Sequence, residues 1–199
     1  MMKKAIIIFV RNPELGKVKT RLAATLGHVK ALSIYNELLL HTKEITQSLE
    51  SDKFVFYNDA IEHDDLWNGQ GFIKKLQSNK DLGDKMKQAF QQLFNEGYKK
   101  VLIIGSDCFE LTSEFINDAF DLLDEKDMVI GPANDGGYYL LGMKKMQSFV
   151  FDNKDWSTET VYKETVKDIL THQLSYAALP ILIDVDTEND WLKSKNKIV

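Results

Sequence analysis

The 199-residue sequence is 44% hydrophobic, carries a formal net charge of −5 and contains a single cysteine. That balance suffices for one well-buried core and excludes a disordered, collagen-like or disulfide-stapled chain. It also argues against a surface built for sequence-independent nucleic-acid binding, which needs many cationic phosphate contacts, while leaving room for a small anion held by a few local cations.

In chain order, the first element is the longest uninterrupted apolar run, Ala5–Val10. It is far too short to span a bilayer, and it follows Lys3 and Lys4 without a small-residue cleavage site, so it reads as a buried strand. Next, His28–Leu49 places Leu32, Tyr35, Leu38, Leu39, Ile45 and Leu49 at helical spacing. Lys53–Tyr57 is predicted as a strand, and Asp84–Asn95 as a helix whose apolar stripe is Met86, Ala89, Phe90, Leu93 and Phe94. Lys100–Ile104 is a strand, followed by a helix capped at Thr112 or Ser113 and running through Phe115 and Ala119. Further strands are predicted at Asp127–Gly131, Tyr138–Met143 and Ile181–Val185.

Strands such as Val101–Ile104 are continuously apolar rather than alternating, as expected where both faces of a mostly parallel sheet are covered. The predicted architecture is therefore a three-layer α/β/α sandwich. No repeat, low-complexity tract or linker interrupts it, and prolines stand only at positions 13, 132 and 180, so residues 1–199 are expected to form a single domain. The lone Cys108 and the absence of an export signal point to a reducing, cytoplasmic setting.

In open α/β sheets ligands bind beyond the carboxyl ends of the strands, so the residues that follow each apolar run are the informative ones. After the first strand, Arg11, Lys17, Lys19 and Arg21 concentrate positive charge around Gly16, as a phosphate site would. This is not a P-loop: Val18 follows Lys17 where Ser or Thr would stand, and the earlier glycine is missing. A solvated basic loop is the plainer alternative. Asp107 follows the Val101–Ile104 strand and is either a ligand for a hard metal or a cap, although Thr112 and Ser113 are better placed as caps. Asp135, within Gly131-Pro-Ala-Asn-Asp-Gly-Gly137, is positioned either to hold or deprotonate a hydroxyl or to make a hairpin turn.

Near the C-terminus, Asp184 and Asp186 follow Ile181–Ile183, and only one of the pair is expected to face the same site as Asp107. Asp186 is the expected second metal ligand, with Thr187 capping the following helix through Asp190. An EF-hand is excluded because its twelve-residue ligand pattern is absent, and the four histidines lack zinc spacing. Trp67, Trp156 and Tyr138 could stack on a base or sugar, or simply pack.

Taken in order, Gly16-Lys-Val-Lys-Thr-Arg-Leu22, Asp81-Leu-Gly-Asp-Lys-Met86, Ile104-Gly-Ser-Asp-Cys108, Gly131-Pro-Ala-Asn-Asp-Gly-Gly-Tyr-Tyr-Leu140, Trp156-Ser-Thr158 and Asp184-Val-Asp-Thr187 resemble a known family across essentially the whole chain. That family comprises bacterial glycosyltransferase-like proteins associated with arsenosugar biosynthesis, within the nucleotide-diphospho-sugar transferase superfamily. There is a more distant resemblance to the molybdenum-cofactor and phospholactate guanylyltransferases. The resemblance implies a Rossmann-like fold of the GT-A type, a nucleotide over the first strand's loop and a divalent cation, magnesium or manganese, on the diphosphate.

By that resemblance Arg11, Gly16, Lys17, Lys19, Arg21, Asp84, Lys85 and Trp156 would bind the nucleotide. Asp107 and Asp186 would hold the metal, Asp135 with Gly136 and Gly137 would face the sugar or acceptor, and Lys19 and Asp135 would be catalytic. The family has Arg at Lys85, which gives up bidentate geometry here, and Pro at Phe109. The expected activity is glycosyl transfer from a nucleoside diphosphate sugar to a small-molecule acceptor. Nucleotidyl transfer to a phosphorylated small molecule is the alternative, and a non-catalytic nucleotide binder the third reading. Neither nucleic acid nor a membrane span enters any of them.

Overall fold

The computed structural model describes residues 3–69 and 71–197. Its elements are β1 (Lys4–Val10), α1 (Thr20–Gln47), β2 (Asp52–Tyr57), β3 (Phe72–Leu76), α2 (Leu82–Asn95), β4 (Lys100–Ile104), α3 (Ser113–Glu125), β5 (Met128–Pro132), β6 (Tyr138–Met143), α4 (Val161–Thr171), β7 (Tyr176–Ala178) and α5 (Glu188–Lys197). Seven strands form one sheet in the order β3-β2-β1-β4-β6-β5-β7. β6 runs antiparallel to its neighbours β4 and β5, and the other pairings are parallel.

The continuous apolar runs are buried on both faces. Ile6 and Ile8 of β1 pack with Tyr35 and Leu39 of α1 and with Ile116, Phe120 and Leu123 of α3. Ile7, between them in sequence, points the other way, into a cluster with Met86, Phe90 and Leu93 of α2 and Ile169 of α4. Successive strand residues thus serve opposite layers, which is the three-layer sandwich expected from the sequence.

Several predicted boundaries move. The first helix begins at Thr20, not His28, and Gly27 (φ 78°, ψ 159°) breaks it just before the predicted start. α2 begins at Leu82, with Asp81 as its cap accepting from the Asp84 amide. Thr112 caps α3 as expected. Two strands escaped prediction: β3, an edge strand whose residues are exposed or half-buried, and the three-residue β7. Neither carries the apolar run that marks the inner strands.

The predicted strand Ile181–Val185 is a correction. This segment makes only isolated bridges, Leu182 to Ala133 and Asp184 to Cys108. It passes from the end of β5 to the end of β4, so it crosses the strand ends and cannot join the ladder. Val185 is fully buried among Leu22, Ile34 and Leu38 of α1 and Trp191 of α5, which clamps the crossing in place.

The β5–β6 connection is a tight hairpin, with Ala133 N–H donating to the Gly137 carbonyl and Gly136 N–H to the Ala133 carbonyl, both at 3.1 Å. Gly136 lies at φ 90°, and a Cβ there would overlap the backbone of Glu159. Its carbonyl accepts from Tyr162 N–H at 2.9 Å, tying the hairpin to the first turn of α4. Gly136→Ala is therefore expected to cost at least about 2 kcal/mol, from backbone strain and overlap together. Urea unfolding would show this as a lower midpoint, and a loss under about 0.5 kcal/mol would contradict the packing.

Candidate functional site

β1 and β4 are neighbours, while the chain leaves β1 toward β2 on one side and β4 leads away on the other. Their carboxyl ends therefore flank the topological switch point, where open α/β sheets form a crevice. A cleft of about 740 Å³ opens there, within the range of small-molecule sites.

The loop after β1 is held rigidly. Tyr35 of α1 accepts from Arg11 N–H at 2.8 Å and donates its hydroxyl hydrogen to the Arg11 carbonyl at 3.0 Å. Burial, then the charge of Asp107, pushes the Tyr35 phenol up to about 12, so it stays neutral. Asn12 is buried and donates its side-chain amide to the Ala60 carbonyl at 2.9 Å, latching this loop to the one after β2. Gly16 makes the turn in which Lys17 N–H reaches the Glu14 carbonyl at 3.1 Å. It sits outside the cleft wall, while Arg11, Lys17, Lys19, Arg21 and Lys85 all line it.

Lys19 precedes α1 in the left-handed region (φ 48°, ψ 47°), uncommon and strained for a side chain of this kind. That conformation sends the side chain inward, leaving it 6% exposed. Its ammonium donates to the Val185 carbonyl at 2.7 Å and pairs with Asp107 Oδ1 at 2.8 Å and Asp186 Oδ1 at 3.4 Å. Burial works to lower its pKa, but Asp107, Asp186 and Asp184 together outweigh it and raise the value, so the ammonium stays charged. Arg21 reaches Asp186 Oδ2 at 3.0 Å from a side chain 71% exposed, a solvent-screened contact of small weight.

Asp107, Asp184 and Asp186 all line the cleft. The expectation that only one of Asp184 and Asp186 could face the site of Asp107 is overturned: residues two apart share a face even in a strand, and here both line the cleft. Asp184 was missed on that account. Its environment sets it apart: burial, then the charges of Asp107 and Asp135, raises its pKa to about 8 against the opposing pull of Lys19. Asp186 leads into α5 through the predicted cap, in which Thr187 Oγ1 donates to Asp190 Oδ2 at 2.7 Å and Asp190 N–H donates back at 3.3 Å.

Asp135 lines the cleft while also making the hairpin, its Oδ1 accepting from Gly137 N–H at 2.9 Å. The hairpin-turn alternative is thus realised, with the carboxylate on the cleft wall. Gly137 and Tyr138 line the same wall, and Gly136 faces Glu159 behind it. Trp156 also lines the cleft, its indole lying so close over Gly83 that a Cβ there would overlap the ring. Asp84 stays out of the cleft: its carboxylate accepts from Ser78 Oγ at 3.2 Å and Gln88 Nε2 at 2.6 Å, a structural role at the start of α2. Trp67 is core, edge-on to Phe72. Cys108 is buried at the cleft wall, and burial followed by the charge of Asp184 pushes its thiol up, which disfavours the thiolate. Among the described residues no three His, Cys, Asp or Glu side chains converge as a ready-made metal site, and no helix is long and apolar enough to cross a membrane.

The Asp184 shift has a definite sign. In the unfolded chain an Asp ionises near its ordinary 3.8, so between there and about 8 the folded protein holds a proton that the unfolded chain has released. The contribution of Asp184 to stability therefore falls as pH rises through that window and levels off above it. Asp184→Asn, which mimics the protonated form, should gain melting temperature relative to the parent as pH is raised from about 5 to about 8 in chelator. A difference independent of pH would contradict the assignment.

A protein of Desulfovibrio desulfuricans G20 assigned to the nucleotide-diphospho-sugar transferases shares 36% identity, with a TM-score of 0.87 over 94% of this chain and 84% of that one. A 2-phospho-L-lactate guanylyltransferase of Methanocaldococcus vulcanius is 24% identical over 93% of this chain and 82% of its own length. Rv0371c of Mycobacterium tuberculosis H37Rv, solved with manganese, shares the fold alone, at 10% identity and a TM-score of 0.56 over 98% of both chains. The fold is thus that of the nucleotide-diphospho-sugar transferases. Residues 41–158 match the family described as uncharacterized proteins conserved in bacteria, DUF2064, and the chain belongs to that family.

Proposed function

We propose that this protein is a nucleotidyltransferase that joins a nucleoside monophosphate, taken from a nucleoside triphosphate, to a phosphorylated small molecule. The observation that carries this reading is the meeting of five cationic side chains, Arg11, Lys17, Lys19, Arg21 and Lys85, around one cleft that also carries Asp107, Asp135, Asp184 and Asp186. A triphosphate needs that density of positive charge, and guanylyltransferases at 24% identity across most of the chain support the same chemistry. Transferase is the class on either reading of the sequence, and sugar transfer is the second reading, supported by the Desulfovibrio relative at 36% identity.

In the proposed reaction a phosphate oxygen of the acceptor bonds to the α-phosphorus, the bond from that phosphorus to the bridging oxygen breaks, and pyrophosphate leaves. A phosphate nucleophile carries negative charge at neutral pH, so no side chain need deprotonate it. Arg11, Lys17, Arg21 and Lys85 hold the triphosphate and spread its charge, and Trp156 with Tyr138 gives the wall apolar area for the organic part. Asp135 and Gly137 lie on the acceptor side.

Asp107 and Asp186 fit a divalent cation: both are hard oxygen donors, and both already grip a cation, the Lys19 ammonium. Magnesium is commonly bound by one or two carboxylates together with substrate phosphates, so a third protein ligand is not required. Bound there, magnesium or manganese would stabilise charge on the phosphate oxygens. The manganese complex of Rv0371c is in keeping with this. The reading takes residues 1–199 as one domain in a reducing, cytoplasmic setting, and the resemblance to arsenosugar-associated proteins adds sugar phosphates to the acceptors worth testing.

The experiment is a thermal-shift series with nucleoside triphosphates, GTP first, and with nucleotide sugars, each with and without manganese. A metal-dependent shift with a triphosphate, followed by pyrophosphate release on adding a phosphorylated acceptor, supports nucleotidyl transfer. A shift confined to nucleotide sugars would replace it with glycosyl transfer. Arg11→Ala and Lys85→Ala should each weaken triphosphate binding about tenfold, the weight of one charge-assisted hydrogen bond. Asp107→Ala should abolish the manganese dependence while the protein stays folded, and unchanged dependence would remove Asp107 from the metal site.

A further inference from the structure

The two aspartates assigned to the metal are joined by a lysine. Lys19 Nζ lies 2.8 Å from Asp107 and 3.4 Å from Asp186, with the Val185 carbonyl at 2.7 Å completing three oxygen contacts. The side chain is almost wholly buried, and its backbone sits in a strained left-handed conformation that aims it there. A surface lysine that merely met two acids would show neither feature.

We infer that Lys19 is a built-in counter-cation, which a divalent metal displaces from Asp107 and Asp186 and which, once displaced, is free to meet the nucleotide phosphates. The exchange rests on the reading of the cleft as a metal-assisted nucleotide site. Its basis is electrostatic. Two carboxylates facing one cleft repel each other unless a cation lies between them, and the ammonium fills that need in the ligand-free protein. A dication gripping the same oxygens leaves the ammonium in a doubly repulsive position, so the two cations exclude each other. A triphosphate entering over the β1 loop offers the ammonium a new partner. Metal and nucleotide would then favour each other's binding through one side chain, reciprocally, as linkage requires.

The exchange can be read without any turnover. Manganese alone is titrated calorimetrically into the parent, Lys19→Gln and Lys19→Arg, with no nucleotide present. Removing the competing charge should tighten manganese binding at least tenfold in Lys19→Gln, whereas Lys19→Arg, which keeps the charge, should stay within threefold of the parent. Equal or weaker binding in folded Lys19→Gln would overturn the exchange, since a lysine that only orients the aspartates would be missed by the metal. Should Lys19→Gln not fold, amine labelling of the parent decides the matter. Lys19 should be protected from the reagent in chelator and become reactive when manganese saturates, and unchanged protection overturns the proposal. If neither protein binds manganese, the exchange and the metal site fall together. The GTP-induced shift in chelator then reports separately whether the nucleotide reading falls as well.

Discussion

The amide of Val185 donates to the carbonyl of Asp107 at 2.9 Å, while the Val185 side chain is buried against α1 and α5. Together with the bridges of Leu182 to Ala133 and Asp184 to Cys108, this contact holds a segment more than seventy residues downstream of β4 across the ends of β5 and β4. Asp184 and Asp186 flank Val185, so its anchoring delivers both carboxylates to the cleft. The Val185 carbonyl then faces the lysine ammonium from the β1 loop. Loss of the anchor would separate the charges at the switch point without touching any of the charged side chains themselves.

The buried ammonium of Lys19 sets the rigidity required of the segments around it. A cation with 6% exposure is tolerable only because three oxygens surround it, and those oxygens come from two separate segments that must both be rigid. The sheet provides one, through β4. The capping interaction between Thr187 and Asp190, together with Trp191, provides the other. On the opposite wall the β5–β6 hairpin is fixed by its contact with Glu159, so Asp135 is carried on a rigid turn as well.

Much of this was legible in the sequence because the signals were local. The apolar runs at Ala5–Val10 and Val101–Ile104 marked strands buried on two faces, and the rule that ligands lie beyond strand ends pointed to Lys19, Asp107 and Asp135. Thr112 and Thr187 announced their helices by capping chemistry alone. What escaped was non-local. β3 and β7 are edge strands whose pairing, not their composition, makes them strands. Asp184 was set aside although residues two apart share a strand face; what no local signal shows is the crossing of the strand ends that brings both it and Asp186 to the cleft of Asp107. Likewise the cluster of basic residues after β1 was plain in the sequence, but nothing in it revealed that Lys19 would be folded inward.

The arrangement of charge also has a kinetic side. The protein as a whole is negative, at −5, yet its cleft is rimmed by arginine and lysine. A polyanion diffusing in from afar meets a repulsive field, and only within roughly a Debye length, about 10 Å at 0.1 M salt, do the rim cations govern its path. Moderate ionic strength thins the outer repulsion more than it weakens partly buried contacts at the cleft. For an anion, approach is therefore favoured at the carboxyl ends of the central strands β1 and β4 and opposed by the net charge farther out.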